Sequence, residues 1–112
     1  MQLNIIRMVI NIPDNDGYPT DEELEKVKTW DVYKQGTMSL IRYLEHLWHW
    51  SDRCFKYELD GTLELHTGGW SGNEFIILAL QENTYFFTLF WQKTERGGHY
   101  YFSGIKEAKE AK

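Results

Sequence analysis

A single cysteine, Cys54, leaves this chain of 112 residues without the means to form an internal disulfide. The fold must therefore rest on burial and hydrogen bonding, in keeping with a reducing compartment. Positive charge is also scarce: 12 Lys and Arg face 17 Asp and Glu, a formal net charge of -5. That balance excludes the concentrated basic face on which non-specific binding to phosphate backbones depends. No direct nucleic-acid partner is expected, whereas a basic protein partner, or mimicry of a polyanion, is compatible with the charge. Long hydrophobic runs are missing too. No stretch approaches the ~18 apolar residues that cross a bilayer. The apolar start, Leu3 to Ile12, is interrupted by Asn4, Arg7 and Asn11 and lacks a basic leader and a small-residue cleavage site, so it is a poor signal peptide. The expectation is a cytoplasmic protein with no membrane partner. No internal repeat is present.

What is plentiful is apolar and aromatic side chain, 42% and 16% of residues. That is enough for one packed core, and residues 1–112 read as a single domain. Residues 1–19 read as an N-terminal strand or arm followed by a loop, because Pro13-Asp14-Asn15-Asp16-Gly17-Tyr18-Pro19 stacks turn formers. Thr20 and Glu23 have the spacing of a capping box, and Asp21 to Glu23 suit the positive end of a helix dipole. They predict a helix from about Asp21 to Trp30 with Leu24 and Val27 inward. Gly36 breaks the chain. A second helix is predicted from Met38 to Trp50, with Ile41, Leu44, Leu47 and Trp48 on one face.

Two short strands follow, Cys54 to Glu58 and Thr62 to His66. A two-residue Asp60-Gly61 loop would set Tyr57 opposite Glu64 and Phe55 opposite His66, apolar against polar. A three-residue loop with Gly61 in a left-handed bulge pairs Tyr57 with Leu63, Phe55 with Leu65 and Lys56 with Glu64. The second register is preferred, since a slip of one residue exchanges the faces.

Thr67 to Phe102 holds the most distinctive pattern. Thr67-Gly68-Gly69-Trp70-Ser71-Gly72-Asn73-Glu74 turns the chain, with Ser71 and Glu74 spaced as a second capping box. The helix it opens carries Phe75-Ile76-Ile77-Leu78-Ala79-Leu80 in succession, which predicts a deeply buried helix ending at Asn83. Tyr85 to Trp91 is apolar on alternate and intervening positions and reads as an interior strand. Arg96-Gly97-Gly98 makes a turn, and His99 to Ile105 returns as the partner strand. Residues 106–112 form a polar tail expected to fray. The fold class is α+β, a mainly antiparallel sheet of four or five strands packed against a central buried helix and two N-terminal helices.

Residues with chemistry are few. His46 and His49 are spaced i, i+3 and, with Glu45 or Asp52, would be a metal pair, but no third ligand has a fixed spacing. No metal and no cofactor is expected. Ser71 lacks the Gly-x-Ser-x-Gly frame of a hydrolase elbow, and no catalytic residue is assigned. Gly68, Gly69 and Gly72 before a helix suit a phosphate cradle, without the lysine of a P-loop. His99, Arg96, Glu95 and Glu64 come together if the hairpins pack side by side. Trp70, Asn73, Arg96, His99 and Tyr101 are the candidate binding residues. Trp70, Arg96 and a tyrosine are residue types typical of binding hot spots. Thr20, Glu23, Ser71 and Glu74 are the predicted caps. The acidic run Asp14, Asp16, Asp21, Glu22, Glu23 and Glu25 reads as a solvated helix start or as a lure for a basic protein groove.

Thr67-Gly68-Gly69-Trp70-Ser71-Gly72-Asn73-Glu74, Ile76 to Asn83, Trp91 and Arg96-Gly97-Gly98-His99-Tyr100-Tyr101-Phe102 resemble a family of small uncharacterised proteins of tailed bacteriophages and prophages. Tyr18 to Trp30 resembles the helix that opens such proteins. The N-terminal arm and the Lys/Glu/Ala tail depart from that pattern. The resemblance implies a phage accessory protein acting in the bacterial cytoplasm, with a host protein as partner, and carries no catalytic residue with it. Inhibition of a host defence protein, a CRISPR effector among them, is one form of that expectation. The alternative is a nucleotide- or phosphorylated-metabolite-binding domain or small enzyme using residues 68–74 with Arg96 and His99.

Overall fold

The computed structural model describes residues 17–107. The predicted N-terminal strand or arm and the end of the polar tail lie outside the described residues. Within them the chain is α+β, with five helices and a four-stranded antiparallel sheet.

Helix α1, Asp21–Thr29, begins as its sequence predicts. The Thr20 hydroxyl accepts from the Glu23 amide at 3.0 Å, and Glu23 reaches back to the Thr20 amide at 2.8 Å. Two orphan donors of the first turn are thereby satisfied. Helix α2, Thr37–Leu47, buries Leu40, Ile41 and Leu44. Its first turn is capped from far away: the Glu107 carboxylate accepts from the amides of Thr37 at 2.9 Å and Met38 at 3.0 Å. Glu107, the first acid of the polar tail expected to fray, thereby places negative charge where the helix dipole favours it. Helix α2 also stops short of the predicted Trp50. Trp48 leaves the helix in an extended conformation, and its indole donates to the His66 carbonyl at 3.2 Å. The one-turn helix α3, Ser51–Cys54, then leads into the sheet.

The strands are β1, Phe55–Tyr57, and β2, Leu63–His66. Their register pairs Phe55 with Leu65, Lys56 with Glu64 and Tyr57 with Leu63. Gly61 has φ of +90° and its amide donates to the Glu58 carbonyl at 3.0 Å, so the hairpin closes with the three-residue loop. Parity decided this: Leu63 and Leu65 must share the buried face.

Helix α4, Ser71–Glu82, departs from two expectations. Trp70 is its N-cap residue, and the Glu74 amide bonds the Trp70 carbonyl at 3.1 Å. The helix starts one residue early, so Ser71 and Glu74 form no capping box, and the Ser71 hydroxyl bonds the Tyr18 hydroxyl at 2.7 Å. Nor is the helix buried all round. Ile76, Ile77 and Leu80 are buried, while Phe75 is 44% and Leu78 55% exposed. The remaining helices cover only part of its circumference.

The predicted interior strand from Tyr85 to Trp91 is a helix, α5, Thr84–Phe90. A short run of apolar residues fits either period. Asn83 decides between them. Its side chain accepts from the Phe86 amide at 3.2 Å, capping α5, and donates to the carbonyls of Val27 and Trp30, both at 2.9 Å. Phe86 and Phe90, one turn apart, then face inward. The strand after it is β3, Trp91–Glu95, exposed throughout, and β4 is His99–Phe102. The sheet order is β1-β2-β4-β3. Leu63, Leu65 and Phe102 on its inner face meet Ile76, Leu80, Leu40, Leu44 and Phe86 in one core. Burying each such side chain stabilises by about 1.5–3 kcal/mol.

Candidate functional site

The two glycine corners touch. The Thr67 amide donates to the Gly98 carbonyl at 2.9 Å, and a Cβ on Gly98 would collide with the Thr67 side chain. From that shared point their neighbours diverge to different surfaces.

At the first corner Asn73, a candidate binding residue, is fully buried. Its side-chain oxygen accepts from the His49 amide at 2.9 Å, and its nitrogen donates to the carbonyls of His49 at 3.0 Å and Thr67 at 3.3 Å. Asn73 is a strut. It holds the segment after α2 against the turn and offers nothing to a ligand. That segment carries Trp50 at φ of 61°, a left-handed conformation costly for a bulky residue. The Trp50 ring lies over Gly68, where a Cβ would come within 2.9 Å. Trp70, half-buried, stacks on the His49 ring at 4.6 Å and tilts against Tyr18 at 4.7 Å and Trp50 at 6.1 Å. Its indole N–H is buried with no acceptor among the described residues. Tyr18 in turn meets Phe75 at 6.2 Å. Trp50, Trp70, Tyr18 and Phe75 are thus one continuous aromatic run.

Phe75 opens onto a groove of about 380 Å³ between α1 and α4. Leu24, Phe75 and Leu78 line it with apolar surface; Asp21, Glu25, Lys28 and Glu82 line it with charge. Lys28 is paired to Glu82 at 3.0 Å, which raises the Lys28 pKa above its ordinary value. Asp21 and Glu25 are left as the net charge of the rim.

The second corner faces the outer side of the sheet. There His66 is opposite His99, Glu64 opposite Tyr101, and Glu95 opposite His99 on the other flank. The Nδ1 atoms of His66 and His99 lie 2.7 Å apart, and His66 Nε2 is 3.4 Å from Glu64. The Tyr101 hydroxyl donates to Glu95 at 3.1 Å, and Lys93 lies 4.9 Å from the Tyr101 ring centre. That hydroxyl, then Lys93, holds the Glu95 carboxyl below the usual carboxylate range. Arg96 is exposed in the turn.

Trp70 therefore belongs to one surface and His99 and Tyr101 to the other, while Asn73 is buried within the first corner. Among the described residues, the ring and hydrogen-bond contacts of the two sets share no side chain. His66, Trp50 and Tyr18 are contributors that the sequence did not single out. For His66 a signal existed: the hairpin register already put it on the outer face with Glu64. His46 is exposed on α2, whereas His49 lies past the helix end in the aromatic cluster, so i, i+3 spacing does not join them. Among the described residues, no group of three or more His, Cys, Asp or Glu is placed to hold a metal ion, and no helix is long and apolar enough to cross a membrane. Comparison with known protein families, with curated proteins and with solved structures finds no match.

Proposed function

We propose that this chain is a non-enzymatic protein-binding module that takes a basic, amphipathic segment of a partner protein on the aromatic corner and the adjoining groove. The exposure of Phe75 and Leu78 on the outer face of α4 is the observation that carries the reading. Large apolar residues left outside in a contiguous patch mark interaction surfaces. Trp, Tyr and Phe anchors with a charged rim match the anatomy of protein interfaces. The acids of the rim favour a partner whose apolar face is flanked by Lys or Arg. In the setting that the phage resemblance implies, the partner is a bacterial host protein, and the consequence of binding is inhibition of that protein.

The test is retention of a stoichiometric protein from bacterial lysate by the wild-type chain, mapped with variants. Phe75→Glu and Trp50→Ala should lose the partner, and Arg96→Ala on the other surface should keep it. A photo-crosslinking residue at Leu78 should form the adduct and one at Lys93 should not. Retention that ignores Phe75→Glu, or no retained protein at all, overturns the reading.

A further inference from the structure

We infer that His66 and His99 form a binding site for a divalent first-row transition ion, with Cu²⁺ held most tightly. The observation is independent of the protein-binding surface and lies on the other side of the glycine corners.

The two Nδ1 atoms are 2.7 Å apart. A hydrogen bond between two like nitrogens holds one proton and one lone pair. Moving that proton to Nε2 of the same ring, which keeps the imidazole neutral, leaves both Nδ1 atoms with a lone pair on the same gap. The carboxylate of Glu64, 3.4 Å from His66 Nε2, favours a proton on that nitrogen and leaves Nδ1 of His66 as the lone-pair atom. A carboxylate behind a ligating histidine commonly fixes its tautomer and ring orientation in metal sites.

With metal–nitrogen bonds of about 2.0 Å, two imidazoles spanning about 90–110° at an ion have nitrogens about 2.8–3.3 Å apart, so both rings must turn away from head-on contact to admit it. Among the divalent ions Cu²⁺ binds nitrogen ligands most strongly. The rings hang from directly opposed positions on β2 and β4, and the neighbouring Thr67–Gly98 hydrogen bond holds that register. Glu64 and Glu95 on the same face offset the charge of the ion. With two protein nitrogens and no third His, Cys or carboxylate ligand among the described residues, water completes the coordination. The affinity is then well below that of a closed structural zinc site.

The experiment titrates CuCl₂ into the full chain, read by calorimetry and by electron paramagnetic resonance. The expected result is one ion per chain with a tetragonal signal split by two imidazole nitrogens. His66→Ala and His99→Ala should each weaken binding by at least about tenfold and remove the two-nitrogen splitting, whereas His46→Ala should do neither. Glu64→Gln should weaken binding by about tenfold while the splitting stays, the signature of a positioning residue. In the unsubstituted protein, sub-stoichiometric Cu²⁺ should broaden the imidazole NMR lines of His66 and His99 before those of His46, a reading that does not depend on any variant folding. Retention of the two-nitrogen signal in a folded His99→Ala, preferential broadening at His46, or no retained ion overturns the site.

Discussion

The two glycine corners have similar sequences and opposite outcomes. Gly68-Gly69 sends Trp70 into an aromatic cluster with Tyr18, His49 and Trp50. Gly97-Gly98 sends His99 onto a polar sheet face with His66, Glu64 and Glu95. They meet at one hydrogen bond, Thr67 to Gly98. A glycine pair says where a chain turns. Which face the next side chain reaches depends on strand parity at one corner and on a helix start at the other.

The largest effect should come from the point where the corners touch. Gly98 has φ of +81° and no room for a Cβ against Thr67, while Gly69 has φ of +76° and nothing within 4 Å. Gly98→Ala should cost about 3 kcal/mol in urea unfolding, from backbone strain and overpacking together, and Gly69→Ala about 1 kcal/mol from strain alone. Equal costs would mean that the corners do not depend on each other. Next is the strut. Asn73→Ala leaves the His49 amide and carbonyl unpaired, and should cost about 2 kcal/mol. It should also shift tryptophan fluorescence, because Trp50 loses the anchor that holds its left-handed backbone.

On the aromatic side, Phe75→Glu should change stability by under about 0.5 kcal/mol yet weaken partner binding by about tenfold or more. A large stability loss would move Phe75 from surface to core and sharpen the comparison against the interface. The smallest effect belongs to the β1–β2 hairpin tip, which serves neither corner. The Thr62 hydroxyl, then its amide, holds the Asp60 carboxyl below its ordinary value of 3.8. A lowered carboxyl contributes stability that is present above its ordinary value and is lost as pH falls through the lowered one. Asp60→Asn should therefore flatten the acid limb of a plot of melting temperature against pH and leave the neutral region almost unchanged.

Much of the fold was readable because its signals are local. The Thr20–Glu23 box needs only residues three apart, and the Phe55–Leu65 register follows from which residues must be apolar together. Helix α5 was not readable, because Tyr85 to Trp91 satisfies both periods. Its state was decided by the Asn83 amide reaching the Val27 and Trp30 carbonyls, which are 56 and 53 residues away in sequence. The Ser71–Glu74 spacing misled for a related reason: Tyr18 engages the serine hydroxyl from a distant loop. The candidate site was half legible. Residue types pointed to Trp70, Arg96 and His99, but Asn73 proved structural, and His66 met His99 through a pairing between strands 33 residues apart.

By itself the sequence determined the turns, the first helix and its cap, the inner face of the β1–β2 hairpin and the acidic charge, all products of nearest-neighbour sterics, hydrogen bonding and composition. Tertiary structure alone decided that Glu107 caps α2, that Phe75 and Leu78 stay outside and that two histidines face each other across β2 and β4. Each of these depends on distant segments meeting, and such meetings are set by how one shared core packs, a property that no local stretch of residues carries.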